Sequence, residues 1–211
     1  RATVIHLGVP LEPFVPPAPL PARTFPLVSV SRLVEKKGVA DLIEAVGILR
    51  EAGRAVTLTV VGEGKLRKPL DQLIRRRGLP GVVTLRGVLT QAEIDGCFRA
   101  GVGAFVLPAV VAADGDQDGI PVALMEAMAR AVPVVSTPVS GIPELITHDV
   151  DGLLVAAGDP RALAGALIRL MDDAELRLRL GQTARVTIEQ RFSLEHSVRQ
   201  LRTVLERARE N

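Results

Sequence analysis

The sequence has 211 residues, with 26 Lys and Arg against 24 Asp and Glu and a formal net charge of +2, and this near balance excludes a protein that binds nucleic acid through a basic stripe. Hydrophobic residues make up 47% of the chain, which excludes a disordered protein. The 2% of aromatic residues argues against lectins and against RNA-binding sheets that stack bases on aromatic rings.

A single cysteine, Cys97, excludes an intrachain disulfide framework and a zinc site built from several cysteines. We therefore expect a reducing, cytoplasmic compartment. No apolar run reaches the ~18–20 residues that span a bilayer, and the first residues lack the layout of a signal peptide. Because the sequence lacks an initial Met and opens within a strand-like run, we expect a piece of a longer protein.

The predicted elements follow a proline-rich start. Residues 1–26 read as an extended connector with a short strand at residues 3–7, because prolines fix φ and remove backbone donors. From residue 27 onward, apolar runs alternate with segments of helical periodicity. The predicted strands cover residues 27–31, 56–61, 82–85, 103–107, 132–136 and 153–155. The predicted helices cover residues 39–52, 66–77, 91–100, 121–130, 160–171, 173–190 and 194–209.

This alternation predicts the fold class. Strands separated by helices of about 10–15 residues form βαβ units, and therefore an α/β, Rossmann-like, doubly wound parallel sheet of about six strands flanked by helices. Ligands of such sheets bind beyond the carboxyl ends of the strands. The residues that follow each strand are therefore the candidates for function.

The first strand is followed by a cluster of cations. Arg32, Lys36 and Lys37 precede Gly38, which opens a predicted helix. Cations beside the positive end of a helix form a site for a phosphate or a diphosphate. A solvated basic turn is the alternative reading of this segment.

The second strand is followed by a Gly-x-Gly sequence at Gly62 and Gly64, which suggests close approach by a ligand. Arg67 stands where the third Gly of a dinucleotide fingerprint would lie, so a Rossmann dehydrogenase is disfavoured. The P-loop pattern is also missing from the sequence.

The loop at residues 109–119 contains an acidic stretch that resembles the start of a calcium loop. Counted from Asp114, the twelfth position that should be Glu is Met125, which argues against calcium. The stronger pair is Asp118 and Glu126, which can bracket a polyhydroxylated ligand because carboxylates accept hydrogen bonds from neighbouring hydroxyls. Alternatively, both are surface acids, with Glu126 capping a helix or ion-paired.

Taken together, these segments resemble retaining glycosyltransferases of family 4. Residues 28–38, VSVSRLVEKKG, are similar to the family's VGRLVEKKG segment, and residues 118–129, DGIPVALMEAMA, to its E-x7-E motif. Residues 136–145 resemble the ST…SGIPEL motif, and residues 4–9 resemble the strand that opens the carboxyl-terminal half of these enzymes. The resemblance covers nearly the whole chain and is closest to transferases of exopolysaccharide or colanic-acid-type biosynthesis.

The resemblance implies one half of a GT-B architecture. Residues 1–26 would be the interdomain connector with its first strand, residues 27–193 the donor-binding domain and residues 194–211 a C-terminal helix, with the acceptor-binding amino-terminal domain outside this chain. It implies a retaining hexosyltransferase that moves a sugar from a nucleoside-diphosphate sugar, by family habit a UDP-sugar, to a saccharide or lipid-linked acceptor. The isolated domain is expected to be inactive.

The resemblance also assigns residues to the donor. Arg32 and Lys37 would bind the diphosphate, Glu126 the ribose, and Asp118 the donor sugar. Those four are the implied catalytic residues, and no metal cofactor is expected because the cations neutralise the leaving group. The remaining implied donor contacts are the base pocket at Gly62, Arg86 and Val88 and the backbone N–H groups of Gly119 and Ile120.

Three positions depart from the family pattern. Ser31 replaces a Gly and narrows the room for the diphosphate, Asp118 replaces a Glu and shortens its reach, and Ala131 replaces a Gly that reads as structural. The expected partners are the donor, the amino-terminal domain and the acceptor, with no nucleic acid and with peripheral association at the inner face of the membrane. A non-catalytic nucleotide-binding module and a nucleotide-sugar epimerase of related fold are the alternatives.

Overall fold

The computed structural model describes residues 4–11, 20 and 23–209. The strands are β1 (Phe25–Val30), β2 (Val56–Val61), β3 (Val83–Leu85), β4 (Ala104–Leu107), β5 (Val134–Ser136) and β6 (Leu153–Leu154). The helices are α1 (Val39–Glu51), α2 (Arg67–Arg76), α3 (Gln91–Arg99), α4 (Val122–Ala129), α5 (Ile142–Leu145), α6 (Pro160–Asp172), α7 (Ala174–Arg191) and α8 (Leu194–Arg209). A 3-10 turn, Glu35–Lys37, lies between β1 and α1.

The strands form one parallel sheet in the order β3-β2-β1-β4-β5-β6. In the longest pairing, Phe25 lies opposite Val56 and Val30 lies opposite Val61. The strand order reverses between β1 and β4, and this reversal defines the crevice in which doubly wound sheets bind ligands. The predicted fold class is therefore confirmed.

The sheet is buried on both faces, which is why its strands are almost wholly apolar. Successive residues of a strand point to opposite faces. Accordingly Leu27 belongs to an apolar cluster with α1, α2 and α6, whereas Val28 belongs to a second cluster with α4 and the carboxyl-terminal half of α7. These two layers hold the sheet between them and fix the direction in which its carboxyl ends point.

From residue 27 onward, most predicted boundaries agree with the structure. The ends of the predicted helices lie within one residue of the observed ends, and the ends of the predicted strands lie within two residues. The strand expected at residues 3–7 is wrong over residues 4–7, which are irregular, and residue 3 lies outside the described residues. Pairing occurs instead at Val9, whose N–H donates to the Phe192 carbonyl at 2.9 Å and whose carbonyl accepts from Leu194 N–H at 2.9 Å. The short helix α5 was not predicted, because four residues show no periodicity.

Two turns explain local sequence choices around α4. Pro121 is the residue before the first helical turn, with φ of −70° and ψ of 123°, rather than part of that turn as predicted. Ala131 follows the helix with φ of 54°, a left-handed conformation that glycine adopts more easily. This conformation supports the structural reading of that position.

One side of the last helix, α8, lies open to solvent. Leu194, Val198, Leu201 and Leu205 are between 44% and 55% exposed. These four residues form an exposed apolar face on this helix. Within the described ranges, no helix is both long and apolar enough to cross a membrane.

A glycine joins the carboxyl ends of β1 and β2. Gly62 adopts φ of +131°, and a Cβ at this position would lie 1.9 Å from the Ser31 carbonyl oxygen. Its N–H donates to the Gly87 carbonyl at 2.8 Å, so the segments after β1, β2 and β3 meet at this residue. Only a residue without a side chain allows this approach.

We expect Gly62→Ala to lower the free energy of unfolding by about 3 kcal/mol, because it adds a backbone clash to an unfavourable φ. Gly53→Ala is the matched control, since Gly53 has φ of +73° but nothing within 4 Å of its added Cβ. Gly53→Ala should lower the free energy of unfolding by about 1 kcal/mol, which is the effect of the unfavourable φ alone. Urea denaturation measures both, and equal losses would contradict the close contact.

Candidate functional site

The loops that follow β1 and β4 are packed against each other at the point where the strand order reverses. Val110 N–H donates to the Lys36 carbonyl at 3.0 Å, and Ala113 N–H donates to Glu35 Oε1 at 3.0 Å. Gly38, with φ of +64°, allows this contact, because a Cβ there would lie 1.8 Å from the Pro108 carbonyl oxygen. Residues 31–38 and 109–119 therefore form one wall of the crevice.

Four charged side chains alternate in sign along this wall. Lys36 Nζ lies 2.9 Å from Asp116 Oδ1 and 3.4 Å from Asp118 Oδ1, and Lys37 Nζ lies 2.5 Å from Asp118 Oδ2. Both lysine side chains are nearly buried, at 11% and 12% exposure. The structure thus brings the predicted Lys37 and Asp118 into direct contact.

The same contacts shift two pKa values. The hydrogen bond to Asp116 raises the pKa of Lys36, with burial opposing it and Asp118 adding to it. The hydrogen bond from Lys36 lowers the pKa of Asp116, and the nearby Arg32 guanidinium contributes to that lowering. The exposed Arg32 therefore acts electrostatically on this wall, although it forms no ion pair with any residue that the structure describes.

The predicted base-pocket residues lie on the other side of β1. Gly62 and Gly87 form a bridge, and Arg86 N–H donates to the Val60 carbonyl at 2.8 Å. Val88 is 77% exposed, so its side chain is available to a ligand. The hydroxyl oxygen of Ser31, beside Gly62, is buried and has no hydrogen-bond partner among the described residues.

The loop after β5 supports Gly119 and Ile120. A Cβ on Gly141 would lie 2.9 Å from Ile120 Cγ1 and 3.4 Å from Gly119 C, so a side chain at this position would require Ile120 to shift. Ser136 Oγ donates to the Leu107 carbonyl at 2.6 Å, and Thr137 Oγ1 donates to the Ala109 carbonyl at 2.5 Å. The motif at residues 136–145 therefore fixes the end of β4 and the start of its loop.

Glu126 lies on α4, and its half-buried carboxylate forms no hydrogen bond or ion pair with any residue in the described part of the chain. Burial raises the pKa of Glu126, and Asp95 raises it further, while Arg130 opposes both. Arg130 itself binds Asp95 at 2.5 Å and the Glu126 carbonyl at 2.8 Å. The carboxylate is thus desolvated without compensation from protein donors.

Sequence reasoning predicted neither the pairing of Lys36 with Asp116 nor a role for Asp116 in the site. Lys36 belongs to the predicted cluster of cations, and Asp116 belongs to the acidic stretch that resembles the start of a calcium loop. In the structure Asp116 N–H donates to Asp114 Oδ1 at 3.0 Å, while the Asp116 carboxylate pairs with Lys36. Among the described residues, no group of three His, Cys, Asp or Glu could hold a metal ion.

Comparison with known proteins identifies the family of this chain. The sequence model of the glycosyl transferases group 1 matches residues 16–187. The chain belongs to this family. This glycosyltransferase chain is 44% identical over 181 residues to the amylovoran biosynthesis glycosyltransferase AmsK of Erwinia amylovora, covering 86% of this chain and 44% of that protein.

A second relative covers almost the whole chain. Over 208 residues the identity is 39% to a protein of Escherichia coli named as a colanic acid biosynthesis glycosyltransferase, WcaL, covering 98% of this chain and 51% of that protein. The chain therefore spans about half the length of the relatives that it matches.

Solved structures agree with the fold. A crystal structure of Anabaena HepE in complex with UDP has a TM-score of 0.77 and 26% identity, covering 88% of this chain and 49% of that one. A sucrose-phosphate synthase of Thermosynechococcus elongatus has a TM-score of 0.82 and covers 97% of this chain and 52% of that one. The expected glycosyltransferase domain fold, one half of a GT-B architecture, is confirmed.

The unpartnered Glu126 gives a pH-dependent prediction. The pKa of Glu126 is higher in the folded chain than its ordinary value of 4.5. The ionised carboxylate therefore lowers the free energy of unfolding at a pH above the folded-state pKa, and this destabilisation disappears at a pH below 4.5. We expect Glu126→Gln to raise the Tm at pH 7 by about 1–3 °C. This difference should vanish near pH ~4, where both residues are neutral.

Glu93→Gln is the matched control with the opposite sign. Hydrogen bonds from Thr90 lower the pKa of Glu93, so its ionised form stabilises the fold above 4.5 and that stabilisation is lost as the pH falls through the lowered value. Glu93→Gln should therefore lower the Tm at pH 7 and should lower it less in acid. Thermal unfolding across this pH range measures both, and a Glu126→Gln variant with reduced Tm at pH 7 would contradict the desolvation argument.

Proposed function

We propose that this chain is the donor-binding half of a retaining glycosyltransferase of family 4. The reaction transfers a sugar from a nucleoside-diphosphate sugar to a saccharide or lipid-linked acceptor, with the anomeric configuration kept. The observation that carries this proposal is the contact of Lys37 with Asp118, 2.5 Å apart, at the strand-order reversal of the sheet. One crevice wall thus holds both a cation for a diphosphate and a carboxylate for sugar hydroxyls.

The diphosphate is assigned to Arg32 and Lys37. Arg32 is exposed beside the crevice, and Lys37 precedes Gly38, from which α1 begins. The positive end of α1 adds to the two side-chain charges. When the bond between the anomeric carbon and the phosphate oxygen breaks, its electron pair leaves with the diphosphate, and these groups neutralise the growing charge. We therefore propose that the reaction requires no metal.

The two acids are assigned to hydroxyl groups of the donor. The Glu126 carboxylate is desolvated and has no partner among the described residues, which suits an acceptor of hydrogen bonds from the ribose. Asp118, with the N–H groups of Gly119 and Ile120, is assigned to the transferred sugar. Gly141, which has no side chain, leaves room for Ile120 beside this loop.

The base is assigned to the pocket around Gly62, Arg86 and Val88. Gly62 brings the ends of β1, β2 and β3 together, which leaves backbone groups and the exposed Val88 to face a planar ring. Uridine is the favoured base because the solved structure of HepE, 26% identical to this chain, contains UDP. This choice agrees with the habit of the family.

Calorimetric titration with UDP, GDP and ADP tests the proposal. We expect saturable binding of one diphosphate, UDP, which EDTA does not change. Lys37→Ala and Glu126→Ala should each weaken binding at least about tenfold, because each removes a charge-assisted hydrogen bond. Failure of all three diphosphates to bind would contradict the donor site.

Two control variants keep the charge changes matched. Arg54→Ala breaks an ion pair with Asp172, 2.6 Å long, next to the amino end of β2 and thus at the opposite edge of the sheet. Glu175→Ala removes an exposed carboxylate in the first turn of α7. Both variants should bind UDP as the unaltered chain does, so equal weakening by all four would show a non-specific effect of charge.

We propose that the apolar face of α8 packs against an amino-terminal acceptor domain, which supplies the acceptor site, and that the enzyme acts in the cytoplasm at the inner face of the membrane. Three leucines and one valine along one side of α8 are exposed to solvent in this chain, which supports the proposal that another domain covers them in the whole enzyme.

The chain alone should therefore transfer little or no sugar. Release of UDP from UDP-glucose, followed with and without a saccharide acceptor, measures this. Turnover by the chain alone that increases with acceptor concentration would contradict the division of the site between two domains.

A further inference from the structure

The proposed donor site leaves Lys36 without a role, although Lys36 is the more buried of the two lysines in its turn. Its backbone carbonyl accepts from Val110 N–H at 3.0 Å, and its residue exposure is 9%. A lysine is seldom buried unless it is paired, because desolvation of an ammonium group is expensive. Lys36 is paired twice, with Asp116 and Asp118.

The geometry separates the two lysines by function. Each oxygen of the Asp118 carboxylate faces a different ammonium group, Oδ1 toward Lys36 at 3.4 Å and Oδ2 toward Lys37 at 2.5 Å. Lys37 has no second carboxylate within 4 Å among the described residues, whereas Lys36 is held by Asp116 at 2.9 Å as well. Among the described residues, Lys37 can therefore exchange its one carboxylate partner, Asp118, for another anion. Lys36 is held by two carboxylates, those of Asp116 and Asp118.

We propose that Lys36 is a positioning residue that holds Asp118 when Lys37 turns to the diphosphate, and that Asp116 keeps Lys36 in that place. This assignment rests on the proposed function. Binding of a diphosphate takes Lys37 away from Asp118 and brings further negative charge beside that carboxylate. Lys36 then remains as its counter-ion, so that Asp118 is neither repelled from the donor nor able to compete for Lys37.

Binding of UDP to variants of the chain tests the assignment. Lys36→Gln should raise the Kd for UDP about tenfold, because the unbalanced Asp118 both repels the diphosphate and retains Lys37. Adding Asp118→Asn to Lys36→Gln should restore the Kd to within about twofold of the unaltered chain, since no carboxylate then needs a counter-ion. Lys36→Arg, which keeps the charge, should bind UDP like the unaltered chain.

A merely structural role for Lys36 predicts a different pattern. If Lys36 only supports the fold of its turn, the double variant should bind UDP as weakly as Lys36→Gln or more weakly. That result, or an unchanged Kd in Lys36→Gln, would overturn the assignment while leaving the proposed function intact. A chain that binds none of UDP, GDP and ADP before any substitution would overturn the proposed function, and the assignment with it.

Lysine ammonium NMR tests the same point without a variant that has to fold. The sequence contains four lysines, at positions 36, 37, 65 and 68, so the 15N signals of their ammonium groups can be assigned one by one. Addition of UDP should move the Lys37 signal and leave that of Lys36 nearly in place. A Lys36 shift as large as that of Lys37 would overturn the assignment.

Discussion

The contact between the loops after β1 and β4 is the constraint on which the rest of the site depends. These loops meet because the strand order reverses between β1 and β4, and they meet closely because Gly38 lacks a side chain against the Pro108 carbonyl. Every charge pair of the crevice wall joins one loop to the other. A larger residue at position 38 would separate both lysines from both acids in one step, so the backbone conformation at this turn governs the electrostatics of the whole wall.

The fold places uncompensated polar groups at this same edge of the sheet. The Ser31 hydroxyl oxygen is buried without a hydrogen-bond partner in the described structure, and Glu126 is desolvated without one. By contrast, the buried Asp151 is satisfied, because it accepts from Thr147 N–H at 2.7 Å and from Thr187 Oγ1 at 2.8 Å. Unpaired groups lower the stability of the chain alone, and their location at the ligand edge suits a site whose missing partners are supplied by a ligand.

Local pattern was enough to predict the sheet and most helices, since apolar strands and amphipathic helices are set by nearby residues. It did not reveal the pairing of Val9 with the segment at residues 192–194, which joins residues far apart in sequence. The site divides in the same way. Lys37 and Asp118 were predicted because family motifs mark them, and the structure brings them together. The pairing of Lys36 with Asp116 was not predicted, because this contact spans 80 positions and depends on how the loop at residues 109–119 folds back.

The paired segment around Val9 also connects α8 to α5. His6 Nε2 lies 3.4 Å from Glu144 Oε2 on α5, and the His6 carbonyl accepts from Ser197 Oγ on α8 at 2.8 Å. Helix α5 begins directly after Gly141, which packs against Ile120. The proposed interface on α8 and the proposed sugar-binding loop are therefore linked through His6, Glu144 and Gly141. In the whole enzyme as proposed, a domain that covers α8 and a donor sugar held by the loop therefore lie at the two ends of this one series of contacts.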